Sequence, residues 1–180
     1  MTSGPLWQQQ GQDLVNPDLD LAIERVIRAP RAVIWKAWTT PELFAQWWIP
    51  EPYTCRVDKF AVHAGGGFAT SMSEDGSTFT PHMDAAFLVV DEDERLVFTN
   101  AVDSTLRPAN PMPVAVTGEV TLADHADGTL YRIVARHGDP RARARHEELG
   151  LLEGWSLVTE QLASLTEADD NSLAVWPDGR

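Results

Sequence analysis

Two kinds of hydrophobic pattern open the chain. In the segment LDLAIERVI, Leu21 and Ile23 alternate with polar or small residues, which is the period of a strand with one buried face. The following segment, PRAVIWKAWT, has apolar residues at three- and four-residue spacings, as an amphipathic helix does: Ile34, Trp35, Ala37 and Trp38. The pattern therefore predicts a strand followed by a helix.

A second, shorter helix is predicted directly after the first. Thr40, Pro41 and Glu42 form a helix start signal, because they supply a hydroxyl cap, a fixed φ angle and an acid at the positive end of the helix dipole. This helix should run to about Trp48 and end before Pro50.

Between Tyr53 and Gly138 the pattern changes to short alternating or apolar runs separated by turn residues, which indicates antiparallel strands. The predicted strands lie in YTCRVDKFAV, GFATSMS, HMDAAFLVVD, RLVFTNAV, VAVTGEVTLA and TLYRIVARH. The glycines at 65–67 are interpreted as a bulge or a close backbone approach. The proline-rich stretch 108–113 is predicted to be an exposed loop near a sheet edge.

The last patterned segment is a long helix, predicted to begin at Pro140 after a cap at Asp139 and to run to about Thr166. Its apolar residues form one continuous stripe: Leu151, Trp155, Val158, Leu162 and Leu165. Gly150 and Gly154 each weaken a helix by about 1 kcal/mol relative to alanine. We therefore expect a packing contact or a local opening of the helix at these glycines.

The order of the elements defines an α+β protein. We expect a helix-grip arrangement, in which a curved antiparallel sheet of about seven strands wraps around the long C-terminal helix, with two short helices after the first strand. The length of 180 residues fits one domain of ordinary size. We expect a single domain over residues 18–168, with an N-terminal tail at 1–17 and a C-terminal tail at 169–180.

Acidic residues outnumber basic residues by 27 to 14, which gives a net charge of −13. Such a surface repels phosphates, so we expect neither nucleic-acid binding nor attachment to an anionic membrane. No apolar run approaches the roughly 20 residues that a membrane-spanning helix requires, and the first residues do not resemble a signal peptide. These features predict a cytoplasmic protein.

The sequence contains few of the patterns that carry known chemistry. Cys55 is the only cysteine, which excludes an internal disulfide and a thiolate-built zinc site. The five histidines form no His-x-His or His-Glu-x-x-His spacing. The glycines at 65–67 lack the lysine and threonine of a phosphate-binding loop. We expect no metal and no cofactor.

Several segments together resemble a known superfamily: APRAVIWKAWTTPELFAQWWIP, AGGGF, GTLYRIVARHG and GLLEGWSLVTEQLASL. They are similar to the SRPBCC superfamily of helix-grip proteins, which includes START-type lipid carriers and pollen-allergen-like proteins. Within it, roughly residues 19–167 look closest to AHSA-type homologues of the activator of the heat-shock-protein ATPase. The resemblance implies a cavity between the sheet and the long helix. It does not imply one function, since the superfamily contains carriers, cyclases, antibiotic-sequestering proteins and chaperone partners.

Large apolar side chains are the candidates for the walls of this cavity, and such walls suit a flat apolar ligand. The predicted wall residues are Trp38, Phe68, Met83, Phe87, Phe98 and Trp155. The alternative is that most of them are ordinary core residues, the tryptophans among them anchoring the two short helices onto the sheet.

Two polar residues, Asn100 and His137, share strand faces with apolar residues and are predicted to orient the ligand, because a polar side chain inside the sheet must be hydrogen-bonded. The alternative for His137 is a histidine at a strand end that bonds to the next helix or to solvent. An enzyme would require an acid–base pair such as His137 with Asp84. His137 is thus the weak candidate for a catalytic residue.

Three functions are open at this stage. The first is non-catalytic binding of a small hydrophobic ligand in the cavity between the sheet and the C-terminal helix. The second is partner binding of the kind shown by activators of a chaperone ATPase. The third is an enzyme of the cyclase or hydrolase type that uses the same cavity. A homodimer also stays open, since the proline-rich loop and the tails with Trp7 and Trp176 offer apolar surface.

Overall fold

The computed structural model describes the backbone of residues 15–173 and the side chains of residues 15–168. The elements are β1 (Asp20–Ile27), α1 (Arg31–Thr39), α2 (Pro41–Phe44), β2 (Thr54–Phe60), β3 (Gly67–Ser73), β4 (Thr80–Asp91), β5 (Arg95–Thr99), β6 (Thr117–His125), β7 (Gly128–Arg136), α3 (Pro140–Glu148) and α4 (Leu151–Leu173). The strands form one antiparallel sheet in the order β1-β7-β6-β5-β4-β3-β2. The predicted α+β class and helix-grip arrangement are confirmed.

The sheet is curved, and its inner face carries the apolar residues that the alternation predicted. Ile23 of β1 lies opposite Ile133 of β7, which in turn lies opposite Val120 of β6. The C-terminal helix α4 covers this inner face and buries Val158 and Leu162 against it. The core therefore lies between the sheet and α4, and the removal of apolar surface from water holds the two together.

The two short helices follow the first strand as predicted, but the second is shorter than expected. It starts with Pro41 at its first turn and ends at Phe44 instead of Trp48. Beyond Phe44 the backbone continues in tighter turns, because Gln46 N–H and Trp47 N–H donate to carbonyls three residues back. These turns bring Trp47 and Trp48 under the helices and into the core.

The long C-terminal helix is present, and it opens at one of the two glycines at which an opening or a packing contact was expected. The segment forms two helices, α3 and α4, which are separated at Leu149 and Gly150. Gly150 adopts a φ of +83°, a left-handed conformation that glycine accepts without strain and that ends a helix. The local opening suggested by the glycines thus occurs at Gly150, whereas Gly154 lies within α4 with open space around its Cα.

The glycine run is a close backbone approach, as predicted. A Cβ atom on Gly67 would lie 2.4 Å from the carbonyl oxygen of Ser104. Ser104 belongs to the segment between β5 and β6, and its N–H donates to Asp84 Oδ1 at 2.7 Å while its carbonyl accepts from Lys59. Further along this segment, Met112 is 89% exposed, in agreement with the exposed proline-rich loop.

Candidate functional site

Eight aromatic side chains pack together beneath the short helices, and we refer to them as the aromatic cluster. Its members are Trp38, Phe44, Trp47, Trp48, Phe60, Phe68, Phe87 and Phe98. The rings meet edge to face or offset, the favoured geometries for aromatic pairs; the Trp38 and Trp47 centroids, for example, are 4.7 Å apart. The cluster is part of the hydrophobic core beneath the short helices.

Four of the predicted wall residues belong to this cluster. Trp38, Phe68, Phe87 and Phe98 are each no more than 2% exposed, so their surfaces contact neighbouring side chains instead of open space. Phe98 lies flat on Gly118 of β6, where a Cβ atom would come within 2.3 Å of the ring. These four side chains form a packed wall.

Two indole N–H groups in the aromatic cluster have no hydrogen-bond partner. The Nε1 atoms of Trp38 and Trp48 are buried and unpaired, whereas Trp47 Nε1 donates to the carbonyl oxygen of Ala37 at 3.0 Å. An unpaired buried donor costs about 1–3 kcal/mol. The hydroxyl of Tyr131 lies beside Trp38 and can accept from that indole N–H. Burial raises the pKa of this phenol. Trp48 is therefore the clearest unsatisfied donor.

Beside Trp48 the inner faces of β2, β3 and β4 carry a row of apolar residues that we refer to as the apolar strip. Its members are Cys55, Val57, Thr70, Met72 and Met83. Cross-strand pairing places Val57 opposite Thr70 and Thr70 opposite Met83, with Cys55 opposite Met72 in the next row. All but the buried Thr70 are half-buried, so the strip is partly accessible.

A cavity of about 430 Å³ opens at the outer end of the apolar strip. It is lined by Tyr53, Met72, Ser73, Glu74, Asp75, Thr78 and Thr80. The Tyr53 hydroxyl donates to Glu74 Oε1 at 3.1 Å. Met72 is shared by the cavity and the strip, so the cavity lies beside the strip.

His82 lies where the apolar strip meets Trp48. The Thr70 hydroxyl and His82 Nδ1 are 3.1 Å apart, and the His82 ring stands edge-on to Trp48 with centroids 6.4 Å apart. Partial burial of the ring lowers the pKa of His82, because a charged imidazolium is disfavoured next to apolar groups. His82 is thus neutral at pH 7 and adds no charge to the strip.

Cys55 lies in the strip as a thiol that reacts slowly at neutral pH. Burial, followed by the nearby Asp58 carboxylate, raises the pKa of Cys55 to about 11. Since the thiolate is the nucleophilic form, this side chain acts as a small apolar residue at neutral pH.

Both polar atoms of the Asn100 side-chain amide form hydrogen bonds within the protein. Its Oδ1 accepts from Val116 N–H at 2.7 Å, and its Nδ2 donates to the Val114 carbonyl at 3.4 Å. In this arrangement Asn100 fixes the segment that returns from the proline-rich loop into β6.

His137 likewise has both ring nitrogens bonded within the protein. Nδ1 lies 2.8 Å from the Leu19 carbonyl and Nε2 lies 2.8 Å from His146 Nδ1 of α3. This is the alternative in which His137 bonds to the next helix. Asp84 instead binds Ser104, and β5 and β6 separate its strand from β7. The structure does not bring His137 and Asp84 together as an acid–base pair.

Trp155 lies in α4 between two apolar clusters. It packs against the main core and also against a second, smaller cluster formed by Leu21, Val116 and Ala135. The predicted site residues thus separate into three places: the packed wall, the strip with Met83, and the end of the sheet near Trp155 and His137. Sequence reasoning did not include Val57 and Thr70, since only the register of β2 on β3 and β4 shows that they line one surface with Met83.

Among residues 15–168, no group of three or more histidine, cysteine, aspartate or glutamate side chains is arranged to hold a metal ion. Within the described part of the chain, no helix combines the length and the apolar character that a membrane crossing requires.

The fold and the aromatic cluster define a helix-grip protein, and comparison with known proteins gives its family. The profile of the family described as "Activator of Hsp90 ATPase homolog 1-like protein" matches residues 28–167. The chain belongs to this family, and the resemblance found in the sequence is confirmed. A comparison with curated proteins gives no match.

Solved structures of similar fold come from several bacteria. A crystal structure of a Nitrosomonas europaea protein shares 33% identity at a TM-score of 0.76, covering 87% of this chain and 99% of that chain. The solution structure of an AHSA1-like protein from Aeromonas hydrophila shares 21% identity at a TM-score of 0.58, covering 90% and 100% of the two chains. A Mycobacterium smegmatis protein shares 23% identity at a TM-score of 0.68, covering 82% and 90%. The last two similarities concern the fold alone.

Proposed function

We propose that this protein binds a small apolar ligand, without chemistry of its own, in the space between the sheet and the C-terminal helix. The apolar body of the ligand lies along the apolar strip, in contact with Met83, and an uncharged acceptor atom of the ligand accepts from Trp48 Nε1. Trp38, Phe68, Phe87 and Phe98 form the wall behind it. Asn100 and His137 hold the neighbouring loop and helix in place.

The observation that carries the proposal is the unpaired indole N–H of Trp48 at the inner end of the half-buried strip. Native proteins rarely leave a buried donor unpaired, and a ligand acceptor would remove the penalty. A carbonyl or ether oxygen meets this requirement. An anionic ligand fits less well, because Glu74 and Asp75 line the cavity beside the strip and the whole chain carries a net charge of −13.

Binding of two matched probes tests the acceptor. Acetylnaphthalene and ethylnaphthalene have nearly the same shape, but only the first carries a carbonyl oxygen. Titration calorimetry should show about tenfold tighter binding of acetylnaphthalene, the size of one well-placed hydrogen bond. Trp48→Phe should remove this preference. Trp47→Phe is the control and should keep it, since the Trp47 N–H is already bonded. Equal affinities for the two probes in the native protein would contradict the proposal.

Alkylation of Cys55 tests the location of the ligand. Cys55 is the only cysteine and lies in the apolar strip, so a bound ligand should slow its reaction with iodoacetamide, measured by intact mass at one fixed pH. An unchanged rate with saturating acetylnaphthalene would place the ligand elsewhere.

The partner-binding alternative is supported by the family description, which refers to activation of a chaperone ATPase. It predicts that the full chain raises the ATP turnover of a heat-shock chaperone in a purified assay. Stimulation of turnover in the absence of any probe binding would favour this alternative over ligand binding. The enzyme hypothesis gains no support from the geometry of His137.

A further inference from the structure

Helix α3 is attached to the rest of the protein by few contacts. None of its nine residues is fully buried. Its N-terminus is capped within the same segment, because the Asp139 carboxylate accepts from the N–H groups of Arg141 and Ala142 at 2.8 and 2.9 Å. The helix is therefore locally stable, but its position on the sheet depends on a small number of side-chain contacts.

One of these contacts is the hydrogen bond between His146 of α3 and His137 at the end of β7. The two rings are perpendicular, with centroids 5.1 Å apart, and the His137 Nε2 and His146 Nδ1 atoms are 2.8 Å apart. His137 also bonds the Leu19 carbonyl at 2.8 Å. The pair thus joins α3 to β7 and to the segment that leads into β1.

The hydrogen bond between His137 and His146 requires that one of the two facing nitrogens lacks a proton. The Leu19 carbonyl can only accept, so His137 Nδ1 carries a proton and donates it. The His137 Nε2 and His146 Nδ1 atoms then share one proton between them, whether His137 is neutral and accepts or is protonated and donates. If both rings are protonated, two N–H groups face each other and the bond is lost.

The surroundings oppose full protonation of the pair at neutral pH. Burial, and then the charge of a protonated His137, lowers the pKa of His146 to about 4. On α3, Arg143 pairs with Glu147; on β7 and β1, Arg136 pairs with Asp20. On α4, the Glu153 carboxylate lies beside Gly150. The other charged residues of α3 are exposed: Arg141, Arg145 and Glu148.

The connection between α3 and α4 can act as a hinge. Gly150 has the left-handed backbone that separates the two helices, and α4 is held independently by Gln161, whose Nε2 donates to the Trp47 and Ile49 carbonyls at 3.1 and 2.9 Å. Directly after the hinge, Leu151 and Trp155 pack on the second apolar cluster. Movement of α3 about Gly150 would therefore separate it from β7 and β1 at this end of the sheet and leave α4 in place.

We propose that the His137–His146 pair is a proton-released latch, which holds α3 across this end of the sheet and frees it when both rings are protonated. Release frees α3 from β1 and from the end of β7. The latch does not rest on the proposed function.

Nuclear magnetic resonance of the full chain tests the latch without any ligand. Side-chain nitrogen spectra report the protonation of each histidine, and amide hydrogen exchange reports the opening of α3. We expect α3 amides to lose protection as His146 titrates, while α4 amides keep theirs. Exchange that stays uniform across α3 and α4 through this titration would overturn the latch.

Three variants separate the latch from general acid unfolding. His146→Gln keeps a hydrogen-bonding group that does not titrate, so α3 should stay protected at acidic pH. His146→Ala should raise α3 exchange at neutral pH by about tenfold, the equivalent of one lost hydrogen bond. His125→Gln, at the distant end of β6, is the control and should behave like the native protein. An acid transition of α3 in His146→Gln equal to the native one would also overturn the proposal.

Discussion

Close contact between Phe98 and Gly118 shows how a single residue sets the packing of the site. The Phe98 ring occupies the position that a side chain on β6 would take. Gly118→Ala should therefore destabilise the fold by about 3 kcal/mol, as overpacked cores do. Gly154→Ala is the matched control and should stabilise it by up to about 1 kcal/mol, since nothing lies within 4 Å of the new Cβ atom. Urea unfolding measures the stability of both variants, and equal unfolding midpoints would contradict the close packing of Phe98 on Gly118.

His146 makes the stability of the protein depend on pH. Its pKa is about 4 in the folded protein against the ordinary 6.5, so the unfolded chain takes up the proton first. The stabilising contribution of His146 is complete above pH 6.5 and is lost as the pH falls from 6.5 through 4. Because the ring is only half-buried, we expect a loss of roughly 1–2 kcal/mol.

Chemical denaturation at pH 7 and at pH 4.5 measures this loss. Carboxylates with lowered pKa values, such as Glu119 and Asp58, also lose stabilising contributions as the pH falls. Comparison of the native protein with His146→Gln isolates the contribution of His146, because the pKa of His82 is also lowered and its effect on stability is the same in both proteins. An identical pH dependence in the two proteins would show that His146 does not contribute.

Individual core positions could be predicted from the sequence, but their hydrogen bonds could not. The alternation in the strands correctly places Phe87 and Phe98 on the inner face. The unpaired N–H of Trp48 depends on turns that bring three tryptophans together, and the partner of His137 lies on a helix nine residues later. Such pairings follow from tertiary geometry, about which the hydrophobic periodicity of the sequence carries no information.

At the scale of elements, Gln161 joins α4 to the segment that follows the short helices. Its side chain donates to the carbonyls of Trp47 and Ile49 and accepts from the N–H of Glu51 at 2.9 Å. Gln161→Ala leaves these backbone groups without their partner and should cost about 1–3 kcal/mol. Gln46→Ala, which removes an exposed bond within its own turn, should cost much less. Thermal or urea unfolding measures both, and similar small losses would contradict the role of Gln161.

The order and type of the elements could be predicted, whereas their ends could not. Period-two and period-3.6 patterns are local properties, so each strand and helix leaves a signal in its own residues. The division of the last helix depends on the left-handed turn at Gly150, and a glycine in a helical pattern is compatible with both a break and a continuous helix. Gly154, four residues later, lies inside α4.

At the scale of the whole molecule, the helix-grip fold leaves the inner faces of β2 to β4 partly accessible. Met83 lies in this accessible part. Met83→Glu places a charge on the apolar strip and should weaken acetylnaphthalene binding at least about tenfold, since an unpaired charge is costly among apolar groups. Leu88→Glu is the control, because Leu88 is 46% exposed, and it should leave the affinity unchanged. If the native protein and both folded variants bind acetylnaphthalene with equal affinity, the apolar strip is not part of the ligand site.

The most direct test of ligand binding at the apolar strip is the indole N–H resonance of Trp48 during titration with acetylnaphthalene. A hydrogen bond to the carbonyl oxygen should move this resonance downfield, while the already bonded Trp47 N–H stays in place and ethylnaphthalene has little effect. A Trp48 resonance that does not respond to saturating acetylnaphthalene, in a protein that binds the probe, would contradict the proposed site.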